Sequence, residues 1–576
     1  MRRPPTPALM LMLTLTLALP ASLLAQAPAQ APADPFLWLE NVEGERAMEW
    51  VEAHNERTLD ALSERPVFEP IYERILGILD SEDRIAYPNI MGDRLYNFWQ
   101  DDEHERGIWR GTSWDSYLSG EPEWETVLDI DALADAEDVN WSYSGATCLP
   151  PDYRLCLVRL SRGGADAVEI REFDTVARRF VEGGFFLPEA KQSVAWKGRD
   201  TLLIATDFGP GSLTESGYAR IAKLWPRGTP VEDARTLFEG EQTDVRVGVG
   251  SFRTAERDFH VVYHRPSFFE GAMYVLEAGE LVRVDLPLDA DPSMVGDQIV
   301  VYLRSPWQVG GRTYEPGSLI AMDYARFVQG DRDFVVVVDP GERATVDGWD
   351  ATRDYLLVSM LNNVRAEVRR YTHEDGEWSY EPVPTPEFGS VNIGATSPLH
   401  NRYFFTSSGY TQPTTLYYVD ASGEARAVRS LPEMFDAEGL VVEQHEATSK
   451  DGTRIPYFLV RGEDVEPDGT NPTLLYGYGG FEISMTPRYS ATTGAAWLER
   501  GGVYAVANIR GGGEFGPAWH RAALKENRQR AYDDFIAVAE HLIETGVTSP
   551  EHLGIIGGSN GGLLMGAALT QRPDLF

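Results

Sequence analysis

A chain of 576 residues exceeds one ordinary domain and predicts two or three. Hydrophobic residues at 43% and charged residues at 24% describe a globular chain with a real core, which excludes disordered, collagen-like and fibrous classes. The net charge of −38 repels phosphate backbones and anionic headgroups and argues against nucleic-acid and membrane-surface partners.

In chain order, Arg2 and Arg3 precede an apolar run, Ala8 to Leu19, and small residues around Ala25-Gln26-Ala27. A positive end, a short apolar core and a small-residue cleavage site are the layout of a secretory signal peptide, assigned to residues 1–27. The expectation is a periplasmic or secreted protein, free of the membrane once the signal is removed. Residues 28–86 follow as a helical segment: Trp50, Val51, His54, Leu59 and Leu62, then Phe68, Ile71, Tyr72, Ile75, Leu76 and Leu79, recur at helical spacing.

From 87 to 431 the texture changes to short apolar runs punctuated by Gly, Pro, Asp and Asn. One type of run recurs at Asp200, Asp258, Asp297, Asp354 and Arg402, with gaps of 58, 39, 57 and 48 residues. Such a period matches β-propeller blades, each a four-stranded sheet of about 40–50 residues, and the segment has room for seven. A large β-sandwich array is the competing architecture, and the run Phe334 to Val338 stands outside the series. The only cysteines, Cys148 and Cys156, enclose a turn-forming stretch, so a disulfide and two buried thiols both remain open. They lie in no zinc-like or redox CxxC spacing, and neither a metal nor a cofactor is expected.

Residues 432–576 alternate strands and helices, the mark of an α/β sheet. Strands are predicted at Val441 to Glu446, Ile455 to Val460, Thr473 to Tyr476, Val503 to Asn508 and Leu553 to Ile556, with an amphipathic helix from Ala531 to Thr545. Gly557-Gly558-Ser559-Asn560-Gly561-Gly562 sits between the last strand and a helix. In that setting G-x-S-x-G forms a sharp turn that thrusts the serine hydroxyl out at the sheet's carboxyl edge. Ser559 is therefore the candidate nucleophile, and the N–H of Asn560 the first oxyanion donor. A second cluster, Tyr476-Gly477-Tyr478-Gly479-Gly480-Phe481, follows the third strand, where this fold places its second donor; the Tyr478 phenol is the candidate, against a purely packing role. A third cluster, Gly511 to Gly516, satisfies GxGxxG, but the acid a dinucleotide would need, Asp533, falls on the predicted helix and not at a strand end. Nucleotide binding is set aside.

These segments, with Asn508 to Gly516, Trp519-His520, Asp533-Asp534-Phe535, Thr548 to Pro550 and Gln571 to Phe576, resemble the prolyl oligopeptidase family of serine peptidases. Asp34 to Glu40 is similar to the N-terminal segment of that family. The resemblance implies an α/β-hydrolase domain capped by a seven-bladed propeller, with the N-terminal segment packing on the hydrolase. It implies Ser559 as nucleophile, Asn560 N–H and Tyr478 hydroxyl as the oxyanion hole, and Phe481 lining the pocket for the residue before the cut bond. The family order is Ser, Asp or Glu, then His, yet the 17 residues after Ser559 include Asp574 and no histidine. The hydrolase portion is accordingly expected to be incomplete at its C-terminus, with the triad Asp and His beyond Phe576. The expected function is a monomeric serine oligopeptidase acting on short peptides, with cleavage after proline one option. An esterase, an aminoacyl-peptidase relative, and a propeller binding protein with a dead hydrolase domain are the alternatives.

Overall fold

A computed structural model describes residues 34–385 and 389–576; the expected signal peptide, residues 1–27, lies outside the described residues. The described chain up to Tyr72 belongs to one compact unit and Glu73–Phe576 to another. In the first unit a short 3-10 turn, Leu37–Glu40, precedes helix α1, Glu45–Ser63. Helix α2, Phe68–Leu79, begins there and continues into the second unit. The predicted helical stretch is thus interrupted at residues 64–67, where Pro66 removes a backbone donor and clashes with the preceding turn. Within this unit Arg46 lies over the Trp38 ring at 4.0 Å, and Trp38 meets Trp50 edge-on.

The second unit opens with seven antiparallel sheets of four or five strands each, at 89–129, 141–190, 193–239, 246–283, 291–338, 344–383 and 390–430. They form the seven blades of a β-propeller, named blades 1 to 7 in chain order. The recurrent run seen in the sequence is the second strand of blades 3 to 7: Thr201–Ala205, Asp258–Arg265, Gln298–Tyr302, Tyr355–Asn362 and Tyr403–Ser408. Its noise has a structural cause. Residues 206–220 lengthen the connection after the second strand of blade 3. In blade 5 an extra hairpin, Trp307–Val309 with Arg312–Tyr314, does the same. The run that stood outside the series is the outer strand of blade 5, Val335–Val338, paired with Leu319–Asp323.

Each junction between consecutive blades carries its own apolar cluster, for example Leu157, Leu187, Trp196 and Trp225 between blades 2 and 3. The ring closes the same way. Leu95, Trp114 and Tyr117 of blade 1 pack on Phe404, Leu416 and Tyr418 of blade 7, and Trp114 stacks on Phe404 at 5.6 Å. Among the described residues no strand is shared between blades 1 and 7, so closure rests on side-chain contacts: this apolar cluster, and Arg429, which donates to the Tyr117 carbonyl at 3.0 Å. Cys148 and Cys156 form a disulfide across the first two strands of blade 2, where they are paired residues.

Beyond the propeller lies a five-stranded sheet: β1, Leu440–Thr448; β2, Arg454–Gly462; β3, Thr473–Gly477; β4, Val503–Ala507; and β5, Leu553–Ile556. Its order is β1-β2-β4-β3-β5, with β3 parallel to both β4 and β5 and β2 antiparallel to its neighbours. Helices α3, Gly516–Arg521, α4, Gln529–Glu544, and α5, Asn560–Gln571, accompany it, along with a short helix at Ala491–Ala496. Side-chain alternation splits the sheet into two faces. Tyr457, Leu459, Leu475 and Ala505 face α4 and α5 through Phe535, Val538, Leu542 and Leu564. Phe458, Val460 and Val506 face the opposite way and pack with Tyr410 and Val364 of the propeller. Among the described residues no helix is long and apolar enough to cross a membrane.

Candidate functional site

The turn after β5 is sharp. Ser559 has φ 53° and ψ −116°, a strained region for a residue with a Cβ, and it leads directly into α5. Close packing holds the turn: a Cβ on Gly557 or Gly561 would lie 2.7 or 2.6 Å from the Gly477 carbonyl oxygen at the end of β3. The serine is exposed, and its backbone carbonyl accepts from the Gly562 N–H at 2.8 Å. Asn560 opens α5, so its N–H has no partner within the helix.

The second predicted donor is tied to the first. The Asn560 side-chain amide donates to the Tyr478 carbonyl at 2.7 Å. Arg528, just ahead of α4, reinforces the tie: one guanidinium nitrogen donates to Asn560 Oδ1 at 3.2 Å and another to the Gly479 carbonyl. Gly480 leaves room for this arrangement, because a Cβ there would stand 2.4 Å from the Asn560 amide nitrogen. The loop carrying Tyr478 and the residue after Ser559 therefore form one hydrogen-bonded piece.

The third glycine cluster supports the second. His520 on α3 is buried between the two loops, its Nδ1 able to pair with either the Gly511 carbonyl at 2.7 Å or the Glu482 N–H at 3.0 Å, and Glu482 N–H also donates to the Gly511 carbonyl directly at 3.3 Å. Arg510, also buried, holds Asp534 of α4 through its amide and its guanidinium, and reaches Asp451 as well. The two carboxylates hold that guanidinium proton above the ordinary arginine range, against the opposing effect of burial, which is the largest single influence. Asp533, the residue a dinucleotide reading would have needed, lies on α4 and accepts from Gln529 at 2.9 Å. The GxGxxG run is thus a brace under the loop that carries Tyr478.

Phe481 follows that loop with φ 55° and is 49% exposed, a large apolar ring facing open space. Phe268 of blade 4 approaches it edge-on at 5.8 Å, and Phe269 lies 5.5 Å from the His520 ring. Arg304 of blade 5 donates to Glu482 at 2.9 Å, and Arg521 donates to the Arg304 carbonyl. Propeller residues thereby meet the segment that carries Phe481. Deeper in the same junction, burial pushes the Glu514 carboxyl up to about 7, and it also raises Asp347 of blade 6.

Of the histidines nearest Ser559 in sequence, His520 serves the brace, His541 on α4 contacts the Tyr457 hydroxyl at 2.9 Å, and His552 is exposed at the opposite end of β5. None of the three hydrogen-bonds Ser559. Sequence reasoning missed Arg528, His520 and Arg510 as parts of the site. Motif spacing carries no signal for Arg528; His520 and Arg510 stand inside segments that resemble the family.

Comparison with known proteins adds three findings. Residues 22–431 match the model of the N-terminal β-propeller domain of prolyl oligopeptidase, and residues 488–576 match the prolyl oligopeptidase family model. An uncharacterized peptidase of Sinorhizobium fredii is 45% identical over 94% of this chain and 77% of its own length; a prolyl endopeptidase of Elizabethkingia miricola is 25% identical over 94% and 75%. The solved structure of a post-proline cleaving enzyme from Rickettsia typhi superposes with a TM-score of 0.87 at 32% identity, covering 94% of this chain and 81% of that one.

Proposed function

The chain belongs to the prolyl oligopeptidase family of serine peptidases, and on that footing we propose that Ser559 is its nucleophile and that Asn560 N–H and the Tyr478 hydroxyl receive the oxyanion. In this reading Ser559 Oγ attacks the carbonyl carbon of a peptide bond while its proton passes to an imidazole base. The carbonyl oxygen takes the negative charge and is met by the two donors. Collapse of the intermediate breaks the C–N bond, the amine leaves with the proton, and the acyl group stays on Ser559 as an ester. Water then repeats the sequence and releases a carboxylate.

One observation carries the proposal: a strained serine on a strand-to-helix turn, with the next residue's side chain hydrogen-bonded to the Tyr478 carbonyl at 2.7 Å. The exposed Phe481 ring with Phe268 beside it supports a flat apolar side chain before the cut bond. We take proline as the preferred residue, in line with the names of the Elizabethkingia and Rickettsia relatives. Propeller residues next to Phe481 favour short, unfolded peptides over folded proteins. We further propose that the protein is exported, supported by the charged-then-apolar start of the chain and by the Cys148–Cys156 disulfide. Fractionation of the native cell tests that, and a cytoplasmic pool alone refutes it.

The test of the site is covalent labelling of the active enzyme by a fluorophosphonate, with chromogenic peptides that differ only in the residue before the cut. Ser559→Ala should abolish labelling and lower turnover by at least about 10⁴-fold. Labelling retained at another serine removes the assignment, and equal turnover of alanine and proline peptides removes the preference.

A further inference from the structure

At the end of the propeller away from the α/β part lies a cavity of about 500 Å³ that the peptidase chemistry does not use. The α/β part meets the connections that follow second strands, through Phe268, Arg304 and Tyr410. The cavity sits instead where first strands end, at Met91, Cys148 and Asp350 of blades 1, 2 and 6. Two groups of opposite charge line it, and neither has an ion-pair partner among the described residues.

The first is Arg159, on the second strand of blade 2. The first two strands of this blade shift register between Tyr143 and Ala146, so Ser144 and Gly145 together oppose Arg159. That bulge fixes the guanidinium: Nε donates to the Ser144 carbonyl at 3.2 Å, and Nη1 to Thr147 Oγ1 at 2.8 Å. Gly145 leaves the space, since a Cβ there would stand 2.7 Å from Arg159 Nη2. Nη2 itself has no hydrogen-bond partner among the described residues. Burial lowers the proton affinity of this arginine, and among the described residues only Tyr143 opposes that, with no carboxylate contributing. The Tyr143 ring stacks on Phe98 at 4.6 Å, and its hydroxyl is also unpartnered among the described residues. Arg159 and Tyr143 are both only half-buried and both line the cavity, so the free Nη2 and the free hydroxyl are reachable from it.

The second charge is Asp350, on the first strand of blade 6. Its carboxylate accepts from the Ala351 N–H at 2.7 Å and the Thr396 hydroxyl at 2.9 Å, which hold it in place. It keeps much of its surface open, yet the surrounding protein raises its carboxyl above the usual range, and no described cation opposes that.

A fixed cation and a fixed carboxylate on the walls of one cavity match a ligand that carries one charge of each sign. We propose that the cavity binds a short peptide with free ends, its C-terminal carboxylate on Arg159 Nη2 and the Tyr143 hydroxyl, and its N-terminal ammonium on Asp350. Charge-assisted hydrogen bonds hold the two ends, and Phe98 and Tyr153 add aromatic surface for what lies between them. The overall charge favours the same ligand: at −38 the protein repels a simple anion, while a zwitterion is neutral as a whole. The site lies outside the peptidase machinery and stands whether or not Ser559 is the nucleophile.

The experiment is calorimetric titration of the Ser559→Ala protein, which leaves peptides uncut, with alanine, tri-alanine and penta-alanine. These differ in the span between their charged ends; at least one should bind, and the tightest measures the gap from Arg159 to Asp350. Amidating the C-terminus of that ligand, or acetylating its N-terminus, should each weaken binding about ten- to a hundredfold, the scale of one hydrogen bond to a charged group. Arg159→Gln should erase the preference for a free C-terminus and keep that for a free N-terminus, while Asp350→Asn should do the reverse. Arg159→Lys, which keeps the charge, should retain part of what Arg159→Gln loses. A merely misfolded variant would lose both preferences together. Failure of all three ligands to bind, equal binding of the blocked forms, or preferences that survive both substitutions overturns the proposal. The last result would place the peptide at the active site.

Discussion

The propeller and the α/β part reach order by opposite routes. The propeller repeats one solution seven times: four strands make a blade, and each blade buries one apolar cluster against the next. The α/β part uses each contact once. Asn560, reinforced by Arg528, joins the turn after Ser559 to the Tyr478 loop, His520 packs between two glycine loops, and Arg510 pins that brace to a helix. Loss of one contact in the propeller should therefore appear as lost stability, and loss of one contact near Ser559 as lost turnover.

The largest expected effect tests the first half of that contrast. Trp114→Ala empties the cluster that closes the ring and should cost about 3–5 kcal/mol of unfolding free energy, as core aromatic truncations do. Trp196→Ala, at the junction of blades 2 and 3, should cost about the same, because no shared strand makes the closing junction special. Chemical denaturation of the two variants measures this. A much larger loss for Trp114→Ala would show that ring closure adds cooperativity beyond local packing.

The boundary between the two regions carries the next effect, and it depends on pH. Glu514 has an ordinary value of 4.5 and is pushed up to about 7 by burial, with Asp347 of blade 6 also raised, and the Glu514 carboxyl accepts from Met485 N–H at 3.0 Å. Its other oxygen has no partner among the described residues. A folded-state value above the unfolded one means that the folded state holds the proton more tightly. The stability is present in full below about 4.5 and is lost as pH rises through about 7. The shift corresponds to about 3 kcal/mol across that window. Glu514→Gln should reduce the decline in unfolding temperature between acid and neutral pH, leaving the contributions of Asp347 and Asp350, which burial also raises. An unchanged slope would place the titration elsewhere.

Within the site, Tyr478→Phe should lower kcat about 10²-fold with little change in KM, the scale of losing one oxyanion donor. Steady-state kinetics decide it, and an unchanged kcat would return Tyr478 to packing.

How much of this was legible in sequence follows from the same contrast. The propeller could be read where its second strand repeats an apolar run, as at Leu202-Leu203-Ile204 and Leu356-Leu357-Val358. Blade 1 escaped because its second strand, Arg94–Asp101, interleaves polar residues among the apolar ones; blade 2 carries an apolar run, Leu155-Cys156-Leu157-Val158, but an arginine, not the usual aspartate, precedes it. In the α/β part, Ser559 and the glycine clusters were legible because close backbone approach leaves little choice but glycine. The sheet order was not, since β4 slips between β2 and β3 in space and not in sequence. Arg528 was equally hidden: it acts on Gly479 and Asn560 from far along the chain, and only the fold brings them together.

The smallest effects sharpen the comparison most, because they set two glycines against each other. Gly480 has no positive φ that would bar a side chain, so a methyl group there acts through space alone. That methyl would stand 2.4 Å from the Asn560 amide nitrogen and must push it off the Tyr478 carbonyl. Losing one such hydrogen bond costs about 1 kcal/mol, so Gly480→Ala should lower kcat several-fold to about tenfold. Gly566, inside α5 a few residues from Ser559, has nothing within 4 Å of its methyl position. Gly566→Ala should instead raise stability by about 0.5–1 kcal/mol and leave kcat alone, because alanine loses less backbone freedom in a helix. Parallel kinetics and melting of the two variants separate the causes. If Gly566→Ala slowed turnover as much as Gly480→Ala, activity would depend on the mobility of α5 and not on the Asn560–Tyr478 contact.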